Sequence, residues 1–300
     1  MNCRVFSPVL MQPQLTRLGW IGLGVMGLPM AGHLRAAGYS VVAHTRTRAK
    51  AQTLLDAGAT WADSPREVAA SCDVLFSMVG LPAENEEVFF GADGVFAAKS
   101  MPSVLIDMST SEPAFARKLD AAIRAHGGRA VDAPVSGGDV GARNASLSIM
   151  VGGDEATCAQ VQALFTKLGT RIVRQGESGC GQMTKLVNQV CVAMNTLGMC
   201  EGLTLARRAG LDPQAVLDCI GSGAAASWSL TNLAPRVLRG DLDPGFFVEH
   251  LAKDLRLAKA AAAELGLDLS MLDRASRCYE DLLKAGHGKK GTHAAVLLHF

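Results

Sequence analysis

Residues 17–38 read RLGWIGLGVMGLPMAGHLRAAG. The apolar run Arg17–Leu23 predicts a strand, and Gly27–Ala37 predicts a helix closed by Gly38. Between them stands Gly22-Leu23-Gly24-Val25-Met26-Gly27. A lone GxGxxG is weak, but one that ends a strand and opens a helix is a phosphate-binding turn. Its first glycine permits the tight turn and its second lets backbone approach a pyrophosphate. Its third lets helix and strand pack closely, with the helix N-terminus facing the anion.

Outward from this unit, strand and helix alternate at short intervals. Strands are predicted at 40–45, 60–62, 74–79, 104–107, 130–132, 146–151 and 171–173. Helices are predicted at 49–57, 65–70, 84–90, 113–126 and 154–168. Ser64 with Glu67 three positions on reads as a capping pair. The alternation predicts an α/β domain, a Rossmann-like doubly wound sheet, mostly parallel, with helices on both faces.

The pattern changes at Gly179. GCGQMTKLVNQVCVAMNTLGMCEGLTLARRAG, residues 179–210, predicts one long helix over 182–209, apolar on nearly every side. A helix of that kind is expected to be buried. Lys185, Asn188, Val192, Asn195 and Met199 are spaced to share one face. A buried ammonium is costly unless paired or used, so the helix is expected to present Lys185 to a site between two domains. Beyond it come helices at 213–221, 227–239, 249–265, 270–285 and 292–299 and no convincing strand. The expected division is an N-terminal extension at 1–16, disordered, a dinucleotide-binding domain at 17–178, and an all-α domain at 179–300, joined by the long interdomain helix.

Composition bounds the class. The chain has 300 residues, 49% hydrophobic, and a net charge of +1. That leaves no electrostatic footprint for nucleic acid or anionic membrane. The eight cysteines form no CxxC pair and read as buried thiols in a reducing compartment, which places the protein in the cytoplasm. The seven histidines show no metal-ligand spacing, so no metal is expected.

The second strand should end beside the adenosine ribose, where a site for NAD usually carries a carboxylate. Here the residues are His44-Thr45-Arg46-Thr47-Arg48. Arg46 can pair a 2′-phosphate and Thr47 can hydrogen-bond it. NADP(H) is therefore the preferred cofactor, with NAD(H) as the other option. Met78-Val79 and Asp107-Met108-Ser109-Thr110 end two further strands on the cofactor side. Thr110 can touch the cofactor or cap the next helix. Asp132-Ala133-Pro134-Val135-Ser136-Gly137-Gly138 follows another strand. Its hydroxyl and bare N–H groups suit a small carboxylate, though SGG is also plain turn chemistry.

Five motifs occur in order: the Gly22–Gly27 loop, DMST at 107–110, DAPVSGG at 132–138, GxGQMTKLVNQ at 179–189 and KDLRLA at 253–258. Jointly they resemble the β-hydroxyacid dehydrogenase family over residues 17–298. The resemblance implies hydride transfer between a nicotinamide and a small β-hydroxyacid or its semialdehyde. By motif match Lys185 is the catalytic acid/base and Asn188 hydrogen-bonds the substrate. Ser136, Gly137 and Gly138 hold the substrate carboxylate, and Thr110 and Lys253 touch the cofactor. The chemistry agrees, since hydride addition builds an alkoxide that needs a proton donor and a positive charge beside it. Without the match, Lys253-Asp254 would read as an exposed charge pair. Trp228 and Phe246 are candidate pocket walls, or core.

The sequence departs from the family in places. The paired asparagines appear as Asn188-Gln189, with Gln189 expected only to pack. Thr292 stands where many members carry an aspartate, and Asn144-Ala145 replaces a glycine-containing turn. A related imine reductase is disfavoured by Lys185, and an idle NADPH-binding protein by the completeness of the site. A homodimer or homotetramer is expected from so apolar a helical domain.

Overall fold

The structure, a computed structural model, describes residues 11–298. The chain forms two compact units, Met1–Lys185 and Leu186–Phe300. The first holds β1 (Arg17–Ile21), α1 (Gly27–Ala36), β2 (Ser40–His44), α2 (Gln52–Asp56), β3 (Thr60–Trp61), α3 (Pro65–Ser71) and β4 (Val74–Ser77). These are followed by α4 (Pro82–Phe90), β5 (Val104–Asp107), α5 (Pro113–Arg124), β6 (Arg129–Asp132), β7 (Val135–Ser136), α6 (Gly138–Arg143), β8 (Leu147–Gly152), α7 (Glu155–Phe165) and β9 (Gly169–Gly176).

The sheet runs β3-β2-β1-β4-β5-β6-β8-β7, with β9 also on β8. The pairings from β3 to β6 are parallel, whereas β8 runs antiparallel to β6 and β7. The order reverses between β1 and β4, the switch point at which ligands of doubly wound sheets bind. Central strands are buried along their whole length, as parallel strands covered on both faces must be. Successive side chains feed two cores. Val74, Phe76, Val104 and Ile106 join Trp20 and Leu34, while Leu75 and Leu105 join Val68 and Phe89.

Met11 is packed in the first of these cores, and the Tyr39 hydroxyl donates to its carbonyl at 2.7 Å. Residues 11–16 thus belong to the folded unit, against the expectation of a disordered extension over 1–16; residues 1–10 lie outside the described residues. Ser64 caps α3 by accepting from Glu67 N, but Glu67 reaches back to Asp63 N, one residue before the cap. Two elements had not been expected, β7 and α6. The strand is defined only by its partner β8, and the short helix carries Gly138 and Gly141, poor helix formers.

α8 (Cys180–Arg208) spans 29 residues, its first turns in the first unit and the rest in the second. It is not buried all round. Gln182, Lys185, Leu186, Gln189, Ala193, Thr196, Cys200 and Leu203 form the buried face. Val187, Cys191, Asn195, Gly198, Gly202 and Leu205 form an exposed stripe. The second unit continues with α9 (Pro213–Ile220), α10 (Trp228–Asn232), α11 (Ala234–Leu238), α12 (Val248–Glu264), α13 (Ser270–Lys284) and a 3-10 turn at Thr292–Leu298. The expected 227–239 helix is divided at Leu233, because Pro235 can only start a helix there. Trp228 is 58% exposed, so it is neither core nor an enclosed wall. Cys191 and Cys219 are also exposed, unlike the expected buried thiols, and no disulfide forms among the described cysteines. No described helix is long and apolar enough to cross a membrane.

Candidate active site

In the first unit the glycine loop after β1 sits against the end of β4. Gly22 has φ +95°, and a Cβ there would lie 2.3 Å from the Met78 carbonyl oxygen. A Cβ on Gly27 would lie 2.0 Å from the Gly22 carbonyl oxygen, which also accepts from the Trp20 indole at 3.0 Å. Internal packing therefore requires both glycines. Gly24 is different, since a Cβ there would meet nothing within 4 Å. Its bareness serves no neighbour in the chain and leaves room for a ligand against the backbone. α1 has no acidic residue in its first turn, so nothing there opposes an anion. These residues fit a dinucleotide pyrophosphate.

Beside the loop, Met78 N donates to Ile21 O, and Val79 N donates to Ser109 Oγ at 2.9 Å. The ends of β1, β4 and β5 are thus tied together. At the end of β2, Arg46 and Thr47 are exposed. Arg48 lies over the Trp61 ring at 5.3 Å. Arg46 Nη2 is 2.7 Å from Glu84 Oε1. The sequence had placed no carboxylate at this strand end, yet the fold brings one from α4. Glu84 Oε2 also accepts from Gly80 N and Leu81 N, which fixes its carboxylate.

The start of α8 is held by buried polar groups. Asp132 at the end of β6 accepts from Gly179 N and Gln182 N, both at 2.8 Å, and so caps the helix. A Cβ on Gly181 would lie 2.6 Å from the Asp132 carbonyl oxygen, so this approach requires the GxGQ glycine. Gln182, fully buried, accepts from Ser111 N at 2.9 Å and donates to Ser109 O at 2.8 Å. Asp107 accepts from Ser77 Oγ, Ser109 N and Ser111 Oγ. Burial pushes the Asp107 carboxyl up to about 6, with the hydrogen bonds from Ser109 and Ser77 opposing it. Burial also raises Asp132, against its backbone donors at Gly179 and Gln182. Lys185 lies one turn beyond Gln182 and is 7% exposed.

Thr110 is half-buried between Ser109 and Ser111. It is not the helix cap, because α5 takes Glu112 at that position. Ser136 closes β7 opposite Ser148. Gly137 and Gly138 follow with φ +134° and +62°, and Gly138 borders open space. Successive N–H groups in such a turn form a concave donor set for an anion.

In the second unit Asn188 Nδ2 donates to Gln189 Oε1 at 2.7 Å, and Gln189 Nε2 donates to Asp254 Oδ2. Lys253 Nζ stands 2.8 Å from Asp254 Oδ1, with both side chains buried. Lys253-Asp254 is therefore no solvated surface pair. Nor does Gln189 merely pack, since it links Asn188 to that ion pair. Phe246 is half-buried against His250.

Some of these residues left no local signal. Glu84 comes from a distant element. Gln182 could have been found, for it stands three positions before Lys185 on the same helical face. Asp254 adjoins a named residue.

Residues 17–176 match the family model described as the NAD binding domain of 6-phosphogluconate dehydrogenase. Residues 179–299 match the one described as NAD-binding of NADP-dependent 3-hydroxyisobutyrate dehydrogenase. A probable 3-hydroxyisobutyrate dehydrogenase-like protein of Arabidopsis thaliana is 43% identical over 298 residues, covering 99% of this chain and 89% of the relative. The 2-hydroxy-3-oxopropionate reductase of Escherichia coli is 38% identical over 284 residues, covering 94% of this chain and 96% of the relative. The crystal structure of 3-hydroxyisobutyrate dehydrogenase from Salmonella typhimurium superposes with TM-score 0.86 at 29% identity, covering 94% of this chain and 99% of that one. With both halves matched in order and along almost their full length, the chain belongs to the β-hydroxyacid dehydrogenase family of NAD(P)-dependent oxidoreductases.

Proposed function

We propose that the protein interconverts a small β-hydroxyacid and its semialdehyde with NADP(H), using Lys185 as the acid/base. The observation that carries this is Lys185 itself, a lysine 7% exposed. Its helix start is capped by the DAPVSGG aspartate and bonded to the DMST backbone. A buried ammonium needs a partner or a use, and the motif residues that fix this turn support a use.

The bound nicotinamide supplies the hydride in reduction and accepts it in oxidation. Gly22–Gly27 would hold the dinucleotide's pyrophosphate, with Met78, Val79 and Thr110 along the strand ends and Lys253 as a further contact. Ser136 with the Gly137 and Gly138 N–H groups holds the substrate carboxylate. In reduction Lys185 Nζ gives a proton to the carbonyl oxygen as negative charge builds there. In oxidation the neutral amine takes the hydroxyl proton. Asn188, one helical turn on, donates to the same substrate and leaves the proton to Lys185. Arg46 and Thr47 support the choice of NADP(H) over NAD(H), while the Glu84 carboxylate paired to Arg46 opposes it.

The names of the Arabidopsis and Escherichia coli relatives support a small hydroxyacid or semialdehyde as substrate. The test is consumption of NADPH, and of NADH in parallel, with glyoxylate, succinic semialdehyde, tartronate semialdehyde and methylmalonate semialdehyde. Turnover of at least one, faster with NADPH, is expected. Binding of NADPH without turnover of any would leave an idle binding protein. A clear NADH preference would overturn the cofactor choice.

A further inference from the structure

We propose that Gln182 is a positioning residue that couples the Thr110 strand end to the helical turn bearing Lys185. The inference rests on the roles given to Lys185 and Thr110 above.

Gln182 is fully buried, and its side-chain amide clips the backbone on both sides of Thr110. Ser111 N donates to its Oε1 at 2.9 Å, and its Nε2 donates to Ser109 O at 2.8 Å. Its own N–H is taken by Asp132 at 2.8 Å. The clipped segment is anchored in turn, by Ser109 N on Asp107 and by Val79 N on Ser109 Oγ. Thr110 cannot shift without straining these bonds, and Gln182 cannot shift without moving its turn. Lys185 lies three residues along on the same face. The side chain is thus a rigid link between a cofactor-contacting residue and the acid/base, and settling the cofactor against Thr110 orders the lysine.

Methionine separates this role from simple filling. It matches glutamine in length but leaves Ser111 N–H and Ser109 C=O without their partner. A glutamine that only fills space would tolerate that change.

The test is hydrogen–deuterium exchange of the full chain with and without saturating NADPH, beside steady-state kinetics. In the wild type NADPH slows exchange in segments 107–112 and 180–186 together, by about tenfold. In Gln182→Met the slowing persists in 107–112 and disappears from 180–186. Its kcat falls about a hundredfold, while KM for the hydroxyacid moves less than about threefold. Gln182→Glu keeps the acceptor facing Ser111 N but sets a second acceptor against Ser109 O, so it recovers at most part of the coupling. It also serves if the methionine variant does not fold. Slowing confined to 107–112 in the wild type overturns the coupling without any variant. Joint slowing that survives Gln182→Met overturns the role of Gln182. Exchange does not depend on turnover, so a Lys185→Ala protein that remained active would remove the proposed function and leave this result standing.

Discussion

Arg46 shows how one side chain divides between two tasks. Its side chain is 83% exposed, fit to meet a phosphate, yet its guanidinium rests 2.7 Å from Glu84. A fixed carboxylate at that distance competes with an incoming 2′-phosphate and repels it. Glu84→Gln keeps an oxygen for the Gly80 and Leu81 N–H groups and removes the charge. NADPH should then bind about fivefold tighter at low salt, with NADH unchanged, in a fluorescence titration. Equal change for both nucleotides, or weaker NADPH, would contradict this. Ala145 is a second case. It has φ +51°, and no other non-glycine residue described has positive φ. A left-handed conformation costs a residue with a Cβ about 1 kcal/mol. Ala145→Gly should raise the unfolding free energy by a similar amount, offset in part by greater freedom of the unfolded glycine; a loss of stability would count against the strain. The sequence exposed the Asn144-Ala145 departure and Arg46. It could not expose Glu84, because only the fold brings the first turn of α4 to the loop that follows β2.

At the scale of elements, the start of α8 is where three motifs meet. DMST, DAPVSGG and GxGQ lie far apart in the chain and share one buried network through Asp107, Ser109, Ser111, Gln182 and Asp132. The motifs were legible, but their joining was not, since hydrogen bonds between strand ends and a helix cap have no period. The network carries a pH signature. An unfolded aspartate titrates near 3.9, whereas burial pushes the folded Asp107 carboxyl up to about 6. The folded chain therefore holds an extra proton between those values. The stabilisation from that proton is complete below the unfolded value and is lost as pH rises through 6, a total of about 3 kcal/mol. Asp107→Asn keeps the acceptor for Ser77 and Ser109, and the Ser111 hydroxyl can turn to accept. Its stability relative to wild type should rise by about 2 kcal/mol from pH 4 to 7 in urea unfolding. A difference independent of pH would refute it. The long helix also tempers composition. Its apolar sequence predicted burial all round, but Val187 and Leu205 are 59% and 70% exposed.

Across the whole molecule, the alternation of strand and helix foretold the doubly wound sheet, because parallel strands covered on both faces need crossover helices. It did not foretell β7, whose two residues depend on a partner strand. We propose that the exposed apolar stripe of α8, with Val187 and Leu205, is covered in a homodimer or homotetramer. Sedimentation should find such an oligomer, and a monomer at micromolar concentration would exclude it. The function rests on one lysine, and its replacement is the sharpest test. Turnover of the substrate identified by the semialdehyde panel should be measured in Lys185→Ala beside NADPH affinity. A fall of about three orders of magnitude in kcat, with the NADPH dissociation constant within about threefold of wild type, is the expected result. Near-normal turnover would contradict the assignment of Lys185 as acid/base.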